Sequence, residues 1–294
     1  MTNAIPPGAS LGPAEVLGRS GSSFGAAFVC LGRQRRDGMT AIYAFCRVAD
    51  DAVDDAPDVA TGRHHLQYWR DELAAAAAGR AATPVGQALA AAMQHFGVAR
   101  APLDALLDGV AMDLEPRGFA DEQELLGYCS KVASAVGLAC LPVLGATEPA
   151  AERFADALGK ALQLTNILRD LRDDAAQGRI YVPRAWLAAN GVDPLWLRGD
   201  GPEAAYAAGG PVAKLGEQLV AAARREFALA QRALGELPRA SRRALVPARI
   251  MGAVYGALLA RLAARGGRLG GERVRVGGAS KSWQALLVYA GVRA

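Results

Sequence analysis

Tyr43-Ala-Phe-Cys-Arg47-Val-Ala-Asp50-Asp51-Ala-Val-Asp54-Asp55 is the stretch on which the fold turns. Positions three and four apart share one face of a helix, so Tyr43, Arg47, Asp50 and Asp54 make a stripe, with Asp51 and Asp55 beside it. Carboxylates this close repel one another, and towards a helix C-terminus the macrodipole opposes them further. Ile42, Ala44, Phe45, Val48 and Ala49 around them are apolar. That pattern predicts a largely buried helix whose acids need a cation.

The design returns in Gln163-Leu-Thr-Asn166-Ile-Leu-Arg169-Asp170-Leu-Arg-Asp173-Asp174. Gln163, Asn166, Asp170 and Asp174 form a continuous polar stripe, while Leu162, Ile167, Leu168 and Leu171 supply apolar packing. Buried polar groups without partners cost on the order of 1–3 kcal/mol each, and charges more. A lone Asp-x-x-x-Asp on a helix is ordinarily a solvated acidic face. Two of them, each flanked by apolar residues, predict facing walls that hold hard divalent cations. Mg2+ takes oxygen ligands, keeps several waters and is usually held by one or two carboxylates together with substrate phosphates. The pair therefore suits ionisation of an allylic diphosphate, where cations stabilise charge on the leaving group.

The rest of the chain fits a helical setting for these stripes. It has 294 residues, 52% hydrophobic and 21% charged, with a mean hydropathy of +0.11, which excludes disorder, collagen and small disulfide-stapled scaffolds. Its 64 alanines against 18 aromatic residues predict an all-α protein. Helices are predicted over 24–31, 35–54, 62–79, 84–96, 102–115, 121–144, 149–176, 183–189, 212–235 and 239–265, with a loop over 199–211 and a short extended piece at 273–276. Residues 1–18 are expected to be a flexible lead-in without a signal peptide, and 19–294 a single domain. The uncharged stretch 132–147, broken by Gly137, Pro142 and Gly145, is too short to span a membrane and reads as a core helix. Cys30, Cys46, Cys129 and Cys140 form no CxxC pair, as expected of small buried residues in a reducing compartment.

The net charge of +4 conceals a division: +11 from residue 221 onward and −7 before it. Sparse aromatic residues in the basic part argue against nucleic acid. An ordinary solvated surface and peripheral contact with an anionic membrane both stay open, and the expected location is the cytoplasm or the inner face of its membrane.

In four strings the chain resembles the squalene/phytoene synthase family of head-to-head prenyl synthases. They are Ser20-Gly-Ser22-Ser23-Phe24; Tyr43 to Asp51; Tyr128-Cys-Ser-Lys-Val132-Ala133-Ser-Ala-Val136-Gly137; and Gln163 to Asp174 continuing to Gly178-Arg179-Ile-Tyr181-Val-Pro183. The match covers most of 19–190 and is weaker through Tyr255 and Arg273. The resemblance implies the isoprenoid synthase fold, a helical bundle around a central cavity, with Mg2+ as cofactor and two prenyl diphosphates as substrates. Asp50, Asp54, Asn166, Asp170 and Asp174 are the implied metal ligands. Arg47, Gln163, Asn166, Arg179 and Tyr181 match positions that contact diphosphate or metal-bound water, and Tyr255 and Arg273 match later diphosphate contacts. Ser22, Ser23, Phe24, Phe28, Val132, Ala133, Val136 and Gly137 match the substrate-binding loop and tunnel, and the released diphosphate or the oxygens of Tyr43 and Tyr128 are candidate proton acceptors. Gly25, Leu31-Gly32 and Ser22 depart from the aromatic, Leu-Pro and basic residues that many relatives place there.

Within the family the strings are most similar to bacterial presqualene diphosphate synthases of hopanoid-linked squalene biosynthesis. The implied reaction joins two farnesyl diphosphates into presqualene diphosphate, with downstream squalene-pathway enzymes as implied partners. Phytoene synthesis from two geranylgeranyl diphosphates is the alternative. A catalytically inactive family member acting as an assembly or binding protein is the alternative of another class.

Overall fold

The computed structural model describes residues 5–20, 27, 28, 30–265 and 288, and among these every regular element is helical. The elements are α1 (Pro13–Arg19), α2 (Arg33–Asp54), α3 (Val59–Ala77), α4 (Pro84–Phe96), α5 (Arg100–Ala111), α6 (Glu122–Leu144), α7 (Pro149–Ala176), α8 (Arg184–Asn190), α9 (Glu203–Tyr206), α10 (Pro211–Glu236), α11 (Arg239–Ala244) and α12 (Val246–Ala263). Tight 3-10 turns extend α5 over Met112–Leu114 and follow α8 at Pro194–Arg198.

Local chemistry sets many of the boundaries. Asp58 accepts a hydrogen bond from the Thr61 amide at 2.8 Å to start α3, Thr83 accepts from Gly86 at 2.9 Å to start α4, and Asp121 accepts from Glu124 at 3.0 Å to start α6. Gly145 ends α6 at φ +82°, in the left-handed region that glycine enters at little cost. The helix expected over 239–265 breaks at Leu245, because Pro247 lies in the first turn of α12 and can neither donate into a continuing helix nor leave its predecessor freely helical. Within the stretch expected as a flexible lead-in, α1 is helical and packs on α2, with Val16 buried. The expected loop 199–211 contains α9, where the Tyr206 hydroxyl donates to the Trp196 carbonyl at 2.6 Å and accepts from the Gly201 amide at 2.8 Å. The extended piece expected at 273–276 lies outside the described residues.

α7 and α10 are the most extensively packed pair, and α7 also touches α6 and α12. α2 packs against α3, α4, α5 and α6. Its buried face carries Ile42, Phe45, Val48 and Ala49, and Phe45 meets the buried Trp69 of α3 edge to face. α6 and α7 approach closely through small residues. A Cβ on Gly159 would lie 2.5 Å from the backbone N and Cα of Ser134, and one on Gly137 would lie 3.3 Å from Ala155. The same crossing interrupts α6 with a π turn over Ser130–Ser134, where the Ser134 hydroxyl donates to the Asp156 carbonyl at 2.7 Å. These contacts bring α2, α5, α6 and α7 around one cavity.

Candidate active site

The cavity has a volume of about 910 Å³, in the upper range for a small-molecule site. One end is polar and the other apolar, as the course of α2 requires. Its 22 residues span about 33 Å, with Asp50 and Asp54 near the C-terminal end, Arg47 and Tyr43 next, and Met39 deeper. α7 runs alongside in the same sense of chemistry: Asp174, Asp173, Asp170, Asn166 and Gln163 line the polar end, then Leu162, Leu158 and Phe154 the apolar end. α6 contributes Tyr128, Val132, Ala133, Val136, Gly137, Cys140, Leu141 and Leu144, and α12 adds Met251 and Tyr255.

The charges at the polar end are paired across elements far apart in sequence. Arg179 donates to Asp54 at 2.6 Å, tying the segment after α7 to the end of α2. Arg47 bridges Asp50 at 3.5 Å and Asp51. Arg169 makes a bidentate pair with Asp170, through Nε at 2.8 Å and through Nη2, and also bonds to Tyr255. Even so, negative charge is in excess. Burial, followed by the charge of Asp54, pushes the Asp50 carboxyl up to about 7; burial, followed by Asp170, does the same for Asp174.

Asp113, from the turn after α5, accepts from the Tyr128 hydroxyl at 2.9 Å and from the Tyr181 hydroxyl at 2.8 Å. The two phenol rings stack with centroids 5.3 Å apart, and Phe119 lies against both. Burial raises the Asp113 carboxyl, opposed by these two hydrogen bonds. Burial and the adjacent Asp113 charge raise both phenols.

Of the site residues expected from the sequence, the sixteen named on α2, α6, α7, α12 and the 179–181 segment all line this one cavity, as does Phe28. Ser22, Ser23, Phe24 and Arg273 lie outside the described residues. The structure adds Asp113, Arg169 and Asp173. Asp113 carried a readable signal: it follows Leu106 and Val110 by seven and three residues on the same inward face, where a lone acid has no apolar role.

The oxygen-only donor set fits Mg2+. Among the described residues no donor meets the buried Oδ1 of Asn166, whose Nδ2 donates weakly to Gln163 at 3.4 Å. That orphaned acceptor lies one turn from Asp170 and two from Asp174, and a cation would satisfy all three. No group of three His, Cys, Asp or Glu side chains among the described residues is close enough to hold a metal alone.

A helical bundle whose apolar cavity is mouthed by two acidic helices has the isoprenoid synthase fold, and a structure described as a dehydrosqualene synthase superimposes with a TM-score of 0.81 and 26% identity over 95% of each chain. A family profile described as squalene/phytoene synthase matches residues 17–279, and the chain belongs to that family. It is 37% identical to the presqualene diphosphate synthase of Rhodopseudomonas palustris over 92% of this chain and 93% of that one. It is 40% identical to the phytoene synthase of Cereibacter sphaeroides, over 59% of this chain and 52% of that one.

Proposed function

We propose that the protein condenses two farnesyl diphosphates head to head into presqualene diphosphate. The observation that carries this reading is the pair of carboxylate stripes, Asp50/Asp54 and Asp170/Asp174, facing one cavity whose far end is apolar. The choice of farnesyl chains is supported by the near full-length match to a presqualene diphosphate synthase, against a match to little more than half of a phytoene synthase.

Asp50 and Asp54 on α2, with Asn166, Asp170 and Asp174 on α7, are the residues that would hold Mg2+. When bound, Mg2+ neutralises charge on a departing diphosphate. Arg47, Arg169 and Arg179 each pair with a carboxylate at the polar end, and their guanidinium forks would bind and orient diphosphate oxygens there. The apolar walls keep water from the allylic cation left when one diphosphate departs. The double bond nearest the second diphosphate attacks that cation, and loss of a proton closes the cyclopropane. In this reading Tyr128 takes the proton on its phenol oxygen while handing its own to Asp113, to which it already donates at 2.9 Å. Tyr43, which lines the same cavity, and the released diphosphate are the other candidate acceptors.

Incubation of the purified protein and Mg2+ with farnesyl or geranylgeranyl diphosphate, without a nicotinamide, tests the reading by product analysis. Presqualene diphosphate from the farnesyl substrate supports it. Prephytoene diphosphate or phytoene as the preferred product selects the alternative substrate, and no turnover with either removes both.

A further inference from the structure

At the end of α2 opposite its carboxylates a second cavity of about 790 Å³ opens between Gly32–Arg35 of the α2 start, the last turn of α10, α11 and the first turn of α12. Arg35, Arg239, Arg242, Arg243 and Arg249 line it, and no Asp or Glu among the described residues does. Arg35, Arg239, Arg242 and Arg243 are solvent-exposed and form no ion pair among the described residues, whereas nearby Glu236 is taken by Arg153 and Glu148 by Ser241. Arg249 Nη1 donates to the Arg242 carbonyl at 3.3 Å, which holds its guanidinium at the pocket. Burial, then the Arg242 charge, keep that guanidinium below its ordinary basicity. The positive charge of Arg35, Arg239, Arg242 and Arg243, concentrated in a concave surface, selects an anion.

The floor narrows the choice of anion. Leu31, Leu234, Val246, Pro247 and Val288 line it, and Leu31, Leu234 and Val288 are almost fully buried. A free phosphate ion gains nothing from such a floor. A phosphate attached to a glyceride places its charge on the arginines and its first methylenes on the apolar residues. Pro247 lines both this pocket and the apolar end of the main cavity, so one residue layer separates the two.

We propose that the Arg-lined pocket seats the phosphate of an anionic phospholipid and docks the protein on a membrane with the apolar end of its main cavity towards the lipid. The pocket stands on its own residues; the orientation rests on the reading of the main cavity as a prenyl site, since a lipophilic product would then leave into the bilayer from the end away from the carboxylates.

Flotation of the full chain with vesicles of phosphatidylcholine, with and without phosphatidylglycerol, tests this. The protein binds only vesicles that contain phosphatidylglycerol, and the Arg242→Gln/Arg243→Gln double variant partitions about 30-fold more weakly at physiological salt. Farnesyl diphosphate turnover in detergent is unchanged in that variant, because neither residue reaches the main cavity. Arg35→Gln, on a different helix, weakens binding as well, which separates loss of the pocket from disruption of α11. Equal binding by wild type and both variants overturns the assignment, and so does equal binding to vesicles without phosphatidylglycerol. Calorimetric binding of inorganic phosphate that the double variant loses, with no flotation by the wild type, also overturns it and identifies a free phosphate site. Flotation as expected in a protein that turns over no prenyl diphosphate leaves the pocket standing and removes the proposed reaction.

Discussion

Asp113→Asn separates a working role for the Tyr128–Asp113–Tyr181 cluster from a structural one. In the native site both phenols donate to one carboxylate, at 2.9 and 2.8 Å. Hydrogen bonds to a charged acceptor are worth roughly 1.5–3 kcal/mol and neutral ones about 0.5–1.5 kcal/mol. Asparagine keeps the volume and one acceptor oxygen. Its amide donates to the other phenol, so two charge-assisted bonds become two neutral ones, a loss of about 2–3 kcal/mol. Against this, the substitution removes a carboxylate that is costly to keep charged, as its upward shift shows. The two effects largely cancel, and the expected net change in stability is about 1 kcal/mol or less. Turnover behaves differently. If Tyr128 passes its proton to Asp113 as it accepts another, the amide cannot take it, and kcat falls about 100-fold or more, the usual scale for a lost general base. The assay pairs thermal unfolding with the initial rate of presqualene diphosphate formation at saturating Mg2+. Unchanged kcat with unchanged melting refutes the proton-transfer role; a loss of several kcal/mol in stability shows that the cluster is a structural tie.

Two further perturbations test the scaffold and the electrostatics. Gly159→Ala drives a Cβ to 2.5 Å from the Ser134 backbone, and overpacking of about 1–3 kcal/mol outweighs the helix-propensity gain of about 1 kcal/mol. The melting temperature falls, whereas the same change at exposed Gly18 of α1, where a Cβ meets nothing, keeps the propensity gain and does not lower it; an unaltered melt for Gly159→Ala contradicts the close α6–α7 approach. In metal-free protein, Asp50 and Asp174 hold protons up to about pH 7 in the folded state, against an ordinary 3.8 when unfolded. The folded state therefore binds more protons in this window, and their contribution to stability is full below about pH 4 and is lost as pH rises through 7. Denaturant melts at pH 5.5 to 8 then show falling stability, restored at the upper end by Mg2+ with inorganic diphosphate; a metal-free protein that gains stability across that window contradicts the charge excess at the site.

The two stripes were legible because their signal is local. Residues three and four apart must share a helix face, and apolar neighbours then say which side is buried, so α2 and α7 could be read from single windows of sequence. What joins the windows could not. Arg179 finds Asp54 across 125 residues, and Tyr181 finds Asp113 across 68, pairings set by how helices cross rather than by any period. Asp113 could be read as an acid on an inward face, but nothing near it named Tyr128 and Tyr181 as its partners. Arg169 sat in full view within its stripe, but nothing nearby said that it would fold onto Asp170 and Tyr255. The break at Leu245 was signalled by Pro247, and it matters beyond the boundary, since it turns the chain so that α11 presents arginines beside the start of α2.

The central claim is that carboxylates on two facing helices together bring about departure of diphosphate. Its most direct test is release of inorganic diphosphate from farnesyl diphosphate in a single turnover, measured with and without Mg2+ for wild type, Asp50→Ala and Asp170→Ala, alongside helical content by circular dichroism. Mg2+-dependent release by the wild type, lost in both variants while helical content is retained, is the expected result. Release at the wild-type rate by either variant contradicts the claim, as does release by the wild type that is indifferent to Mg2+.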